Sequence, residues 1–122
     1  MAAPGKQVVS ISGDGGFTYA LSELATAVKF GINVVALVFV DDAFGASIVD
    51  QQRRFGGRII GTELHNPDFA RLAETFGANG IKARREEVGQ ALAAALASNR
   101  PTVIEVPLPV LPSPARIPAR TS

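Results

Sequence analysis

The chain has 122 residues, of which 47% are hydrophobic, and a formal net charge of +1. We expect one domain of this length to bury roughly two-thirds of the surface of its unfolded chain. The interspersed charges argue against nucleic-acid or membrane-surface binding, and the absence of cysteine excludes disulfides and thiolate metal sites.

Two short apolar strands, each ending in a polar turn, are predicted in the first part of the chain. Gln7–Ser12 runs into Gly13-Asp14-Gly15-Gly16-Phe17, and Ile32–Val40 runs into Asp41-Asp42-Ala43-Phe44-Gly45. Between them, apolar residues recur at helical spacing over Phe17–Phe30. This pattern predicts a strand, a tight turn, a helix, a second strand and a second turn. The first strand should be buried on both faces if it lies in the centre of a parallel sheet.

The rest of the chain predicts further helices and strands. After a loop and a short helix over 43–54, Asn66-Pro67-Asp68 predicts a helix with Asn66 as its N-cap, ending at Gly77. The remaining predicted elements are a strand over Gly80–Ala83, a helix over Arg85–Ser98 and a strand over Thr102–Val106. This order predicts an α/β fold of three layers, with helices on both faces of a mostly parallel sheet.

The domain is predicted to cover residues 1–108, followed by a proline-rich tail over 109–122. Five of the eight prolines fall between Pro107 and Pro118, so we expect this tail to be extended and poorly packed. The chain start does not resemble a secretory signal, and Ile32–Val40 is far too short to span a bilayer. We therefore expect a cytoplasmic protein without a membrane partner.

Asp14 and Asp41 are candidate functional residues because each follows a predicted strand. The turns after parallel strands joined by a crossover helix lie at the same edge of the sheet. The glycines after Asp14 offer backbone N–H groups to an anion at a helix N-terminus. A carboxylate pair beside a phosphate-sized anion suits a hard divalent cation, most naturally Mg²⁺. From the residues alone, three alternatives stay open: Asp14 as a turn residue with a local hydrogen bond, Asp41 and Asp42 as a helix N-cap pair, and Asp42 rather than Asp41 as the ligand.

These turns resemble the thiamin-diphosphate signature of the acetolactate synthase and pyruvate decarboxylase superfamily. The residues that carry the resemblance are Gly13-Asp14-Gly15-Gly16-Phe17, Glu23-Leu24-Ala25-Thr26-Ala27-Val28 and Asp41-Asp42-Ala43-Phe44-Gly45, in the order and spacing of that family. The resemblance covers about residues 5–108 and corresponds to the cofactor-binding C-terminal domain.

The resemblance implies a role for each matching position. Asp14, Asp41 and the backbone carbonyl of Ala43 would bind Mg²⁺. The diphosphate would lie against the turns, whose cofactor-binding residues are Gly13, Asp14, Gly15, Gly16, Phe17, Asp41, Ala43, Phe44 and Gly45. Val40 departs from the family, which usually has the first Asn of a pair there, and this departure bears on cofactor affinity more than on the fold.

The resemblance also implies a larger enzyme with thiamin diphosphate and Mg²⁺ as cofactors and a 2-oxo acid as substrate, a decarboxylase or carboligase. In the family, the pyrimidine-binding domain carries the activating glutamate and usually belongs to a second subunit. We therefore expect no catalytic residue in this chain, a pyrimidine-binding domain or subunit as partner, and a homo- or hetero-oligomer. An alternative is a non-catalytic module of the same fold that acts in assembly. A receiver-like domain is disfavoured, because its acidic pair follows the first strand, whereas Asp41 and Asp42 follow the second.

Overall fold

The computed structural model describes residues 5–109 and contains a sheet of four parallel strands. The strands are β1 (Val8–Gly13), β2 (Val34–Val40), β3 (Asn79–Lys82) and β4 (Thr102–Pro107), arranged in the order β1-β2-β4-β3. β2 and β4 lie in the centre, and residues 102–106 of β4 are all buried. Short runs rich in valine and isoleucine suit such central positions, because both faces of a parallel sheet are covered.

Within residues 5–109, five α-helices surround the sheet. They are α1 (Asp14–Ala20), α2 (Glu23–Lys29), α3 (Gly45–Arg54), α4 (Phe69–Phe76) and α5 (Val88–Ala97), with a 3₁₀-helix at Arg85–Glu87 before α5. The single helix predicted over 17–30 is therefore two helices. Tighter i→i+3 bonds, such as Leu24 N to Leu21 O at 3.1 Å, separate them. Ser22 is the N-cap of α2, a position that serine favours. Glu23 places an acid in the first turn, where the N-terminus of a helix favours negative charge.

Apolar residues cover both faces of the sheet, as expected for three layers. The buried residues on one face are Phe17, Leu24, Val38, Phe69, Ala73, Ala78 and Val103. Those on the other face are Val35, Leu37, Ala83, Ala95, Ile104 and Val106. Neighbouring residues of β2 and β4 alternate between the two sets, as a strand with two buried faces requires. The predicted α/β fold class is confirmed.

β1 lies at an edge of the sheet and is not central. Its residues are exposed or half-buried, and Ile11 is 70% exposed. The position of β1 in the sheet could not be predicted from the sequence, because strand order depends on pairing between distant segments. A short apolar run has the same pattern in an edge strand and in a central strand.

α4 packs against β3 so closely that Gly80 has no room for a side chain. A Cβ atom at Gly80 would lie 2.0 Å from the carbonyl oxygen of Ala70. Gly77 ends α4 in the left-handed conformation with φ of +89°, as the sequence predicts.

The described part of the chain ends soon after β4. Leu108 N still donates to Val40 O at 2.8 Å, whereas the tail predicted over 109–122 lies almost entirely outside the described residues. No helix within residues 5–109 has the length and apolar character needed to cross a membrane.

Candidate functional site

The two predicted turns meet at the carboxyl ends of β1 and β2. Gly13 lies opposite Phe39 in the parallel ladder, so β1 and β2 end at nearly the same level of the sheet. Asp14 then begins α1, while the turn after β2 leads into α3. The backbone N–H of Asp42 donates to Asp14 Oδ2 at 2.8 Å. The structure therefore brings together two turns that are far apart in sequence, as their positions after parallel strands predict.

The Asp14 carboxylate is the buried centre of this region, with only 2% of the residue exposed. Gly15 N donates to its Oδ1 at 2.7 Å, and Asn66 Nδ2 donates to its Oδ2 at 2.6 Å. Together with Asp42 N, these donors give the carboxylate three hydrogen bonds, one on Oδ1 and two on Oδ2. A carboxylate offers about four acceptor positions, so one position on Oδ1 is left for a further ligand. The local bond to Gly15 shows that a turn role and a ligand role are compatible.

Asp42 is built into the turn itself. Its backbone is left-handed, with φ of +56°. In addition to its N–H bond to Asp14, its carbonyl accepts from Leu64 N at 2.8 Å and its Oδ1 accepts from Asn66 Nδ2 at 2.8 Å. These bonds commit both its backbone and its carboxylate to holding the turn.

Asp41 presents its carboxylate at the start of α3. Its Oδ2 lies 3.6 Å from the position that a Cβ atom on Gly45 would occupy. The N-terminus of a helix favours such a negative charge. Between the two candidates for the second ligand, the structure therefore gives Asp42 a turn-holding role and leaves Asp41 outside the hydrogen bonds that fix the turn.

Ala43 forms an antiparallel bridge with Glu63. The bonds of this bridge run from Phe44 N to Thr62 O and from Leu64 N to Asp42 O, both at 2.8 Å. Ala43 and Glu63 thus form a non-hydrogen-bonded pair of the antiparallel bridge. In such a pair, the carbonyl of Ala43 faces away from residues 62–64. A carbonyl oriented in this way can accept a ligand without breaking the bridge.

Phe44 packs directly on the first turn. A Cβ atom at Gly15 would lie 2.3 Å from Phe44 Cε1, so the absence of a side chain at Gly15 lets the ring seat there. Phe17 is buried and meets Phe69 edge to face, with ring centroids 5.5 Å apart. Gly13, Gly16 and Gly45 are exposed around these contacts. The predicted cofactor-binding residues therefore lie in two adjoining turns around Asp14, with Phe17 packed into the core.

Asn66 is the site residue that the sequence prediction missed. We expected it to cap the next helix, but Asp68 is the N-cap and its Oδ1 accepts from Arg71 N at 2.9 Å. The apolar spacing gave a usable signal, because Phe69, Leu72, Ala73 and Phe76 form a helical face that begins immediately after Asp68. The Asn66 side chain is therefore free to reach Asp14 and Asp42.

The start of α4, which follows Asn66 in the chain, is held by two carboxylates. The backbone bond from Arg71 lowers the pKa of Asp68 below its ordinary value. Glu105, a buried residue of β4, accepts from Ala70 N at 3.1 Å and pairs with Lys82 Nζ at 2.7 Å. The hydrogen bond to Glu105 raises the pKa of Lys82 above its ordinary value. The segment that delivers Asn66 is therefore anchored to the central strand.

The three aspartates of the site form no ion pair within the described part of the chain. Within residues 5–109, ion pairs join Arg54 to Asp50, Lys82 to Asp68 and Glu105, and Arg84 to Glu86 and Glu87. None of these pairs includes Asp14, Asp41 or Asp42. The same residues contain no group of three acidic or histidine side chains placed to hold a metal ion by themselves. A cation here would need a carbonyl and oxygens from a ligand or solvent, the mixed set that Mg²⁺ commonly takes.

Residues 1–106 match the family described as thiamine pyrophosphate enzyme, C-terminal TPP binding domain. The chain belongs to this family. The predicted resemblance is confirmed, and the fold described above is that of a thiamin-diphosphate-binding domain. Thiamin diphosphate is another name for thiamine pyrophosphate.

Relatives of this thiamin-diphosphate-binding domain are much longer proteins. The catabolic acetolactate synthase of Raoultella terrigena is 35% identical over 106 residues, which cover 86% of this chain and 19% of that protein. A sulfoacetaldehyde acetyltransferase of Castellaniella defragrans is 36% identical over 111 residues, covering 87% and 19%. The benzoylformate decarboxylase structure from Polynucleobacter necessarius superposes with a TM-score of 0.80 at 25% identity, covering 87% and 20%. The domain thus spans about a fifth of the length of the relatives it matches.

Proposed function

We propose that this domain binds the diphosphate end of thiamin diphosphate through Mg²⁺, as part of a 2-oxo-acid decarboxylase or carboligase. The observation that carries the proposal is the buried Asp14 carboxylate, which forms no ion pair within residues 5–109 and keeps one acceptor position on Oδ1 beside the turn of Asp41 and Ala43. Two carboxylates and a carbonyl are hard oxygen donors, which fit Mg²⁺. The relatives named as acetolactate synthase and benzoylformate decarboxylase support the reaction class.

In this proposal, each residue of the two turns has a defined task. Asp14, Asp41 and the Ala43 carbonyl hold the cation, which in turn neutralises the diphosphate. Since Gly15 N is bonded to Asp14, the exposed Gly16 leaves the most open approach to the backbone of the first turn. Phe44 closes the other side by packing on Gly15. The cofactor supplies the carbon nucleophile when bound, and this domain contributes its binding and orientation.

The complete enzyme would need a pyrimidine-binding domain or subunit as partner. The relatives are about five times longer than the matched segment, which supports a multidomain assembly. A homo- or hetero-oligomer that joins the two domains would place a carboxylate against the pyrimidine end of the cofactor, which this domain leaves to its partner.

One observation favours the alternative of a non-catalytic module that acts in assembly. Val40 stands where the family usually has an Asn, and its side chain packs against the buried cluster around Phe17 and Val38. An apolar residue there strengthens the core but removes an amide that a cofactor could use. The alternative predicts the same fold without Mg²⁺-dependent binding.

Calorimetric titration of thiamin diphosphate, with Mg²⁺ and with EDTA, tests the proposal. We expect Mg²⁺-dependent binding by the wild-type chain and its loss in Asp14→Ala with unchanged helical content. Asp50→Ala is the matched control, because Asp50 is an exposed acid of α3 that pairs with Arg54 outside the site. Wild-type affinity in Asp14→Ala would refute the metal assignment, and absence of binding in the wild type would favour the assembly module.

A further inference from the structure

The amide nitrogen of Asn66 lies between two carboxylates. It donates to Asp14 Oδ2 at 2.6 Å and to Asp42 Oδ1 at 2.8 Å. An amide group carries two N–H donors on one nitrogen, so a single side chain satisfies both acceptors. No other side chain of residues 5–109 donates to either carboxylate through the hydrogen bonds and ion pairs described above. Asn66 is therefore the side chain that joins the first turn to the second.

The backbone around Asn66 fixes its position. Upstream, Thr62 and Leu64 bond to the second turn through Phe44 N and Asp42 O. Downstream, Pro67 restricts Asn66 to extended backbone, and α4 begins under the control of Asp68 and Glu105. The side chain thus reaches the turns from a segment that is held at both ends.

The bond pair also has an electrostatic consequence. Asp14 Oδ2 and Asp42 Oδ1 both lie within hydrogen-bond distance of the Asn66 amide nitrogen, so the two carboxylates are close neighbours. A donor shared by two carboxylates offsets part of the repulsion between them. Without the donor, the second turn would be pushed away from Asp14, and Asp41 and Ala43 would move with it.

We propose that Asn66 is the positioning residue of the site. Its amide nitrogen sets the separation between Asp14 and the second turn, and so the placement of Asp41 and the Ala43 carbonyl relative to Asp14. The consequence for cation binding rests on the proposed function. Groups that orient metal-ligating carboxylates commonly contribute about 10- to 100-fold to metal affinity.

The test compares two asparagine variants at opposite ends of the sheet. Asn66→Ala should weaken Mg²⁺-dependent thiamin-diphosphate binding by about 10- to 100-fold in calorimetry. Asn33→Ala removes an asparagine that precedes β2 and bonds to Asn99, and it should change the Kd by no more than about twofold because Asn33 lies at the end of the sheet opposite the site. Asn66→Asp keeps the size of the side chain but replaces the donor with a third negative charge, and should bind no better than Asn66→Ala.

A ligand-free measurement separates this inference from the proposed function. The Asp42 backbone N–H donates to Asp14, so its hydrogen exchange reports whether the two turns stay together. By NMR, this amide should exchange at least about tenfold faster in Asn66→Ala than in the wild type, and at the wild-type rate in Asn33→Ala. Unchanged exchange in Asn66→Ala, or equal losses of affinity in the two alanine variants, would overturn the inference. If the wild-type chain binds no cofactor, the proposed function fails, and the exchange rates still decide the role of Asn66.

Discussion

At the scale of single residues, the second turn divides its work between two neighbouring aspartates. Asp42 is bound through its N–H, its carbonyl and its side chain, whereas Asp41 extends towards the start of α3. Two adjacent acids of the same type thus differ in what their substitution should change. Substitution of Asp42 should affect mainly the stability of the turn, and substitution of Asp41 should affect mainly cation binding.

We therefore expect Asp41→Ala to weaken Mg²⁺-dependent cofactor binding by at least about a hundredfold, and Asp42→Ala by about tenfold or less. Asp41→Asn should be tolerated, because the amide keeps an oxygen ligand. Asp42→Ala should instead lower thermal stability, since a left-handed alanine costs about 1–2 kcal/mol. Calorimetry and thermal melts of the three variants check this, and the reverse ranking of affinities would make Asp42 the ligand.

The residue scale is also where sequence reasoning reached its limit. The sequence pattern singled out Asp14 and Asp41 because each directly follows a strand. It singled out the glycines because they lie in the turns after these strands. Asn66 could not, since its role depends on a loop that folds back over the second turn through the bridge at Ala43 and Glu63. Asparagine before proline also suits a helix start, and this local interpretation hid the long-range one.

At the scale of elements, the contact between α4 and β3 sets the most demanding packing in the fold. Gly80 allows the backbone of Ala70 to approach within a distance that any side chain would block. Gly89, in contrast, lies on the exposed surface of α5, and nothing is within 4 Å of the position of its missing Cβ. Gly89 therefore serves as the control position for a substitution at Gly80.

Gly80→Ala should lower the free energy of unfolding by about 3 kcal/mol or more, because backbone atoms cannot move aside as a flexible side chain could. Gly89→Ala should raise it by a few tenths to about 1 kcal/mol, since alanine loses less backbone entropy in a helix than glycine. Urea unfolding followed by circular dichroism measures both values. A neutral Gly80→Ala would show that α4 sits further from the sheet than described.

The start of α4 also gives the fold a dependence on pH. The pKa of Asp68 is lowered in the folded chain, chiefly by the bond from Arg71, so its contribution to stability is present above the unfolded pKa and is lost as the pH falls through the folded one. Asp68→Asn keeps a capping oxygen without the charge. The Tm difference between wild type and Asp68→Asn should be largest above about pH 4 and should shrink towards zero at lower pH. A difference that stays constant down to pH 2 would contradict this assignment.

Most elements could be predicted from the sequence because their signals are local. The valine-rich runs of β2 and β4, and the glycine that ends α4, each act within a few residues. The break between α1 and α2 was missed because the apolar spacing continues through it, and Leu21 and Leu24 both contact the same core. The edge position of β1 depends on which strands pair, and periodicity carries no information on that choice.

At the scale of the whole molecule, the proposed site would hold only one end of the cofactor. In that proposal the two turns provide the oxygen ligands. Of two further acids, Glu23 is exposed on α2 and Glu63 is exposed opposite Ala43 in the bridge. A general acid or base must lie within hydrogen-bond reach of its proton, roughly 2.6–3.2 Å. The turns contain no group that we expect to reach the pyrimidine end.

We expect the 122-residue chain alone to decarboxylate pyruvate no faster than free thiamin diphosphate with Mg²⁺. Addition of a polypeptide that carries a pyrimidine-binding domain should restore turnover if the chain is a subunit of a split enzyme. Product formation can be followed by a coupled assay, with Asp14→Ala plus the same polypeptide as control. Turnover by the purified chain well above the free-cofactor rate would contradict the division of labour between the domains.

The edge position of β1 affects how the isolated chain behaves in solution. A parallel strand with one unpaired row of main-chain N–H and C=O groups is a template on which another extended segment can add. Val8, Val9 and Ile11 lie along this row without a charged residue among them. The recovery of monomer should therefore depend on protein concentration and storage time. Ile11 is the most exposed of the three, so Ile11→Lys is the substitution best placed to reduce aggregation.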